Sequence, residues 1–301
     1  MKKHLRQSQL RSRSKLTPVL CITVMIAVLS ALCGCEAAEP SNGSAASHPS
    51  AASSESDDGD TATVLEKTPK ACEQLVAHAG GAVYGYRRSN SKEALDTSYQ
   101  NGFRYFEVDL ERTSDGEIVL IHDWDSMAAR MFFEKGEKTL QDFKTSDTFM
   151  DLTVMDLDDL LRWLRRHPTC RAITDIKRNN ISLLEDIRDA AGDDISRLIP
   201  QVYSYEEYDK AIDMGYKDVI LTLYMTGADS KLADFARSKK PWAVTMPESL
   251  LSEELLSDLS STGVRTFAHT INTLDVWEEW HEKGLYGIYT DYFMPDYWTV
   301  S

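Results

Sequence analysis

From about Leu65 to Ser301, short apolar runs rich in β-branched residues alternate with segments of helical periodicity almost without interruption. Such a chain is restricted to parallel strands joined by helical crossovers, because each helix must carry the chain back to the edge where the next strand begins. Nine runs read as strands: Leu75–Ala79, Arg104–Leu110, Ile118–His122, Arg171–Ile176, Leu198–Tyr203, Val219–Leu223, Trp242–Thr245, Val264–His269 and Gly287–Thr290. The third is the exception, since it follows the second after Ser114-Asp115-Gly116, a hairpin signal too short for a parallel crossover. Counted as a hairpin flap, it leaves eight strand–helix units in about 235 residues, the arithmetic of an α/β (β/α)8 TIM barrel. A doubly wound open sheet is the alternative, but Gly80-Gly81 after the first strand lacks the third glycine and the acidic partner of a dinucleotide loop. The clearest helix runs from Asp156 to His167, with leucines at 157, 160, 161 and 164 and Pro168 beyond its end. Thr153 followed by Asp156 predicts a capping box at its start.

The first 35 residues follow another logic. Met1 to Lys15 holds six Lys or Arg and no acid, Pro18 to Leu32 is almost wholly apolar, and small residues follow, as in a bacterial export signal. The end of this leader, Leu32-Cys33-Gly34-Cys35, resembles the lipobox of bacterial lipoproteins, although Cys33 stands where Ala or Ser is usual. It predicts lipidation of Cys35 and a protein anchored outside the cytoplasmic membrane. An uncleaved anchor is the alternative, because the apolar run nearly reaches the ~17-residue lower limit for a span. Residues 36–64, rich in Ser, Ala, Asp and Gly, read as a disordered tether with a reach of ~30 Å, and the globular domain then occupies 65–301.

Loss of the leader removes six of the 33 basic residues and none of the 48 acidic ones, leaving a net charge of −21. A partner with a phosphate backbone needs the opposite sign, so no nucleic acid is expected, and adhesion to anionic lipid by charge is disfavoured. Cys35, Cys72 and Cys170 remain after processing. An exported pair can form a disulfide. Cys72 and Cys170, however, each precede strands that are not neighbours in the chain, so their bridge is the less favoured of the two states.

Barrel enzymes place their chemistry at the C-terminal ends of strands, and titratable residues gather there in this chain. The first strand ends at His78. The second carries Glu107 and Asp109, two apart and therefore on one face. The hairpin returns His122-Asp123 beside them, with His122 opposite Val108. The next strand leads to Asp175 and Lys177, again two apart, and the last two strands end at His269 and Asp291. Glu107, Asp109 and Asp175, with no Cys or His in ligand register, favour one hard divalent cation, Mg²⁺ or Ca²⁺, over zinc. His78 and His122 suit general acid and base roles, and Lys177 supplies fixed positive charge. This is equipment for a phosphodiester: charge to neutralise the phosphoryl oxygens, one imidazole to activate a hydroxyl and another to protonate the leaving alcohol. Plainer readings exist for each part. The hairpin could simply present a polar face, His269 could satisfy backbone groups, Asp291 could cap a turn, Lys177 could be a surface lysine paired to Asp175, and Asp123 could orient its loop.

Several short segments, in order along the chain, resemble the glycerophosphodiester phosphodiesterase family, barrels of the broader phospholipase C-like group. They are Val76-Ala77-His78-Ala79-Gly80-Gly81, Asn90-Ser91-Lys92-Glu93-Ala94, Phe106-Glu107-Val108-Asp109, Thr113-Ser114-Asp115-Gly116, Val119-Leu120-Ile121-His122-Asp123, Asp175-Ile176-Lys177 and Gly287-Ile288-Tyr289-Thr290-Asp291. The resemblance implies His78 and His122 as an acid–base pair, Glu107 and Asp109 as metal ligands, and Asp175 as the third ligand, usually a glutamate. It implies a phosphate-facing role for Lys177 and a place near the substrate for Asn90. His269-Thr270-Ile271-Asn272 stands where the family commonly has Trp-Thr-Val-Asn, which puts His269 at the substrate. The implied reaction converts a glycerophosphodiester to glycerol phosphate and an alcohol. Three departures stand out: Ala79 replaces a phosphate-holding arginine, Ser89 replaces an acid, and Asp175 is similar to the aspartate of sphingomyelinase D-like phospholipases. Arg87, Arg88 and Arg130 are the candidates to replace the missing guanidinium. Hydrolysis of lysophospholipids or sphingolipids, or non-catalytic binding of a phosphorylated ligand, are the alternative expectations.

Overall fold

The computed structural model describes residues 73–294. The leader, the lipidation site at Cys35, the tether over 36–64, the domain boundary at 65 and the Cys72 half of the weighed disulfide lie outside the described residues. Cys170 is buried. Among the described residues no helix is long and apolar enough to cross a membrane.

Nine strands form close to the expected bounds: β1 (Leu75–Ala77), β2 (Tyr105–Arg112), β3 (Ile118–Leu120), β4 (Arg171–Asp175), β5 (Leu198–Val202), β6 (Ile220–Thr222), β7 (Ala243–Pro247), β8 (Arg265–His269) and β9 (Gly287–Thr290). Eight pair in parallel in the order β1-β9-β8-β7-β6-β5-β4-β2, and a β1–β2 pairing closes the sheet into a barrel. β3 pairs antiparallel with β2 at Leu110↔Leu120. The next rung holds as well, with Ile121 N–H donating to Asp109 O at 3.1 Å, so the register sets His122 opposite Val108. The fold is a (β/α)8 barrel with a hairpin flap after its second strand.

The helices are α1 (Lys92–Gln100), α2 (Ser126–Phe132), α3 (Leu140–Thr145), α4 (Leu157–Arg166), α5 (Asn180–Ala191), α6 (Tyr205–Asp213), α7 (Leu232–Lys239), α8 (Glu253–Ser260) and α9 (Leu274–Glu282). Ser91, Ser204 and Ser252 cap α1, α6 and α8 by accepting from the N–H three residues on. The predicted capping box on α4 is displaced by three residues. Asp156 is the cap and Asp159 its reciprocal partner, because the first helical residue is Leu157 and a cap must directly precede it. Thr153 instead binds Glu93 of α1, Oγ1 to Oε1 at 2.6 Å, which ties the flap segment to the barrel wall.

Three apolar clusters result. Val76, Ile173, Ile199, Ile220, Phe267 and Tyr289 fill the barrel interior. A larger cluster, which includes Leu160 and Leu164 of α4, lies between strands and helices. Val119, Trp124, Met131, Phe132 and Phe143 give the flap and α2–α3 a core of their own. The interior packing stops below the C-terminal ends of the strands, where polar residues take over.

Candidate active site

Parallel register assembles the acidic centre. The β2–β4 pairing sets Asp109 directly beside Asp175 and Glu107 beside Ile173, so two acids share a rung and the third lies one side-chain period below. Ligand oxygens of Glu107, Asp109 and Asp175 all lie within 4.8 Å of one another. β1 was expected to reach Ala79 but stops at Ala77. Ala79 takes φ 47°, and its N–H turns to donate to Glu107 Oε2 at 2.6 Å. Gly80 and Gly81 continue the turn at positive φ, where a Cβ on Gly81 would stand 2.2 Å from Ser98 Oγ of α1. The other oxygen of Glu107, Oε1, is buried with no hydrogen-bond partner. Burial, followed by the charge of Asp109, pushes the Glu107 carboxyl up to about 8. A buried acid with an unsatisfied oxygen, facing two more acids of the same sign, fits a divalent cation held by oxygen ligands.

Lys177 reaches into this centre, with Nζ 2.7 Å from Asp109 Oδ1 and 3.0 Å from Asp175 Oδ2. Burial alone would lower its pKa, but Asp109 and Asp175 outweigh it and fix the ammonium in its charged form. It is therefore part of the centre and not the surface lysine of the plainer reading. The Tyr203 hydroxyl donates to Asp175 Oδ1. Asn90 is fully buried and is committed to Asp109: Nδ2 donates to Oδ2 at 2.9 Å, and Oδ1 accepts from Asp109 N–H at 3.0 Å. It does not line the cavity and stands behind the Asp109 carboxylate.

His78 and His122 both line the cavity above the acids. His78 Nδ1 lies 2.9 Å from Asp291 Oδ1, and Asn272 Nδ2 donates to the other Asp291 oxygen at 2.8 Å. Burial opposes a charge on His78, but the Asp291 hydrogen bond and the surrounding carboxylates outweigh it and raise its pKa above the ordinary value. Asp291 thus does more than the turn-capping role that the sequence left open. His122 Nδ1 lies 2.7 Å from Asp123 Oδ2, while Asp123 Oδ1 accepts from the N–H groups of Asp125, Ser126 and Met127 at the start of α2. Asp123 orients its loop, as read from sequence, and orients the imidazole as well. Burial would raise its carboxyl, yet His122 and those N–H groups hold it well below the usual range.

The cavity, of about 210 Å³, is completed by Arg88, Gln201, Thr222, Tyr224, His269, Thr270 and Tyr289. His269 is flanked by the rings of Tyr224 and Tyr289, and burial lowers its pKa to about 4, which leaves it neutral. Of the three arginines considered as replacements at Ala79, Arg88 lines the cavity. Arg87 lies 3.8 Å from Asp291 and over the Tyr292 ring, and Arg130 lies over Tyr86. Sequence reasoning assigned no role to Tyr203, Gln201 or Asn272. Asn272 was within the quoted run ending Thr270-Ile271-Asn272, which was the available signal.

Residues 79–294 match the glycerophosphoryl diester phosphodiesterase family, and the chain belongs to that family. It is thereby a hydrolase of the phosphodiesterase type. Its fold is similar to that of a candidate glycerophosphodiester phosphodiesterase from Galdieria sulphuraria, at TM-score 0.63 and 15% identity over 76% of this chain and 98% of that one. It is also similar to an Oleispira antarctica phosphodiesterase solved with the product sn-glycerol-3-phosphate, at TM-score 0.60 and 17% identity over 75% and 95% of the two chains. A glycerophosphodiester phosphodiesterase from Thermotoga maritima matches at TM-score 0.60 and 17% identity, over 72% and 93%.

Proposed function

We propose that this barrel hydrolyses glycerophosphodiesters to glycerol phosphate and an alcohol, with His78 and His122 as the acid–base pair. The observation that carries the reading is the pair itself. Two imidazoles, each held by its own aspartate, face one cavity with a carboxylate triad at its base. A protein that only bound a phosphorylated ligand would have no use for two oriented proton carriers.

Glu107, Asp109 and Asp175 are the residues that hold a divalent cation, Mg²⁺ or Ca²⁺, which when bound neutralises charge on the phosphoryl oxygens. Lys177 adds fixed positive charge beside the same oxygens, and Asn90 and Tyr203 keep Asp109 and Asp175 aimed at the centre. Arg88 takes the phosphate-holding role of the arginine that Ala79 replaces, and His269 packs against the substrate as a neutral ring. One histidine takes the proton of the attacking water or substrate hydroxyl, and the other gives a proton to the departing alkoxide. The domain works outside the cytoplasmic membrane as a lipoprotein anchored through Cys35. This location is supported by the basic-then-apolar leader and its terminal cysteine.

The test is turnover of glycerophosphocholine by the full chain, with products identified. Glycerol phosphate and choline are expected. EDTA should abolish turnover and Mg²⁺ or Ca²⁺ restore it, and activity indifferent to chelation would reject the metal centre. Asp175 and Ala79 favour comparing lysophosphatidylcholine in parallel; sole activity on that lipid would move the substrate class.

A further inference from the structure

We propose that the mouth of the barrel docks on a lipid bilayer, so that the site takes phosphodiester headgroups from a membrane surface. Nine large hydrophobic side chains are exposed among the described residues, and their placement is one-sided. Tyr84 follows β1, Tyr224 and Met225 follow β6, Leu274 opens α9 after β8, and Tyr292 and Met294 follow β9. All belong to the end of the sheet that carries the acids. Phe133 ends α2 in the flap, where Ser114 N–H of the hairpin turn donates to Lys138 O. Met150 adjoins Phe149, which stacks on Tyr86 of the loop after β1. Of the nine, Ile212 alone lies at the other end, near the C-terminus of α6.

Backbone conformation adds a second, independent observation. Tyr84 is 74% exposed at φ 51°, Phe133 68% exposed at φ 63°, and Met150 50% exposed at φ 56°. Glycine or asparagine would occupy these left-handed positions at lower cost. Each large apolar side chain is therefore held in water against both its backbone preference and its hydrophobicity.

A bilayer suits this rim better than a protein partner for three reasons. The cavity is smaller than the ~300–1,000 Å³ pockets that enclose drug-sized ligands, so a headgroup enters while an acyl chain stays outside, where the apolar rim meets it. Aromatic side chains with a basic neighbour, here Arg87 over Tyr292, are the composition that settles at a membrane interface. The lipoprotein reading supplies the membrane, since an anchor at Cys35 would hold the domain beside one. The net charge of −21 after loss of the leader makes the fitting surface zwitterionic and not anionic. The inference rests on the phosphodiesterase and lipoprotein readings above.

Tryptophan reporters in the full chain test it with phosphatidylcholine vesicles carrying brominated acyl chains. The added fluorescence of Tyr84→Trp and Phe133→Trp should be quenched, and that of Ile212→Trp should not. Adding Tyr84→Ser and Phe133→Ser to a Leu274→Trp reporter should lower its quenching roughly tenfold, through lost burial of apolar area. Unquenched rim reporters, equal quenching at Ile212→Trp, or a lipid-free dimer that shields the rim would each overturn the proposal. Hydrolysis of soluble glycerophosphocholine, unchanged in the serine variants, is followed separately. Hydrolysis without docking sinks only the rim, and docking without hydrolysis sinks only the phosphodiesterase reading.

Discussion

His78 and His122 turn the same kind of ring toward the same cavity, yet they are held in opposite ways. His122 is supported by its own neighbour, Asp123, which also binds the first N–H groups of α2. His78 is supported by Asp291 from the far end of the chain, 213 residues away, which is in turn held by Asn272 from the loop after β8. One support is local and forms with the flap; the other exists only when the last strand closes against the first. The difference separates two kinds of fragility, since a change near His122 acts on a loop and a change near His78 acts on the closure itself.

The largest expected effect ignores the difference. His78→Ala and His122→Ala should each lower kcat by roughly 10³-fold with folded protein retained, as expected when a general acid or base is removed. A variant keeping near-full turnover would reject the pairing of the two.

Asp291→Asn sharpens the comparison. It should cost roughly 10²-fold in kcat and move one limb of the pH–rate profile to lower pH, because the hydrogen bond and charge that raise His78 are lost. The direction is the same whether His78 serves as acid or base. Stability should follow with a defined sign. His78 is raised and Asp291 lowered on folding, so their pairing stabilises fully between the ordinary values of 3.8 and 6.5 and fades as pH rises through the raised His78 pKa. The variant's deficit in thermal melts should therefore be greatest between those values and smaller at alkaline pH; a deficit that grows with pH would contradict the arrangement.

Arg88 shares the loop after β1 with His78, and Arg88→Ala should raise KM about tenfold while changing kcat less, as for a group that holds phosphate. Arg88→Lys should recover part of the loss, and an unchanged KM would remove Arg88 from the substrate. The smallest effects belong to Asp123. Asp123→Asn should lose a few-fold in activity at nearly unchanged melting temperature, because asparagine also accepts from helix N–H groups. Asp123→Ala should lose in addition about 1 kcal/mol of stability. Identical melting of the two variants would show that the α2 contacts contribute nothing.

Much of the barrel was readable because its signals are local. Apolar runs of strand length, a three-residue turn and helical leucine spacing depend on near neighbours, and counting them yielded the closed parallel sheet with its flap. The site was readable to the extent that period two operates: Glu107 with Asp109, Asp175 with Lys177, and His122 through the hairpin register. What the sequence left hidden has the same origin. A box at Thr153 looked as good as the true cap at Asp156, because nothing local reports that Thr153 is spent on Glu93. The reciprocal bonds of Asn90 to Asp109 cross from loop to strand, so no local pattern reports them.

The sequence alone therefore determined the element order and the family, since both rest on short runs of residues each legible locally, and it named the acids and imidazoles as candidates. Tertiary structure decided which of three arginines faces the cavity, that Asp291 serves His78, and that Glu107 keeps a buried oxygen free among like charges. Those facts depend on strand register and barrel closure. Hydrogen bonds and charges act over a few ångströms of space, whatever the distance along the chain, and only the fold brings their partners within that reach.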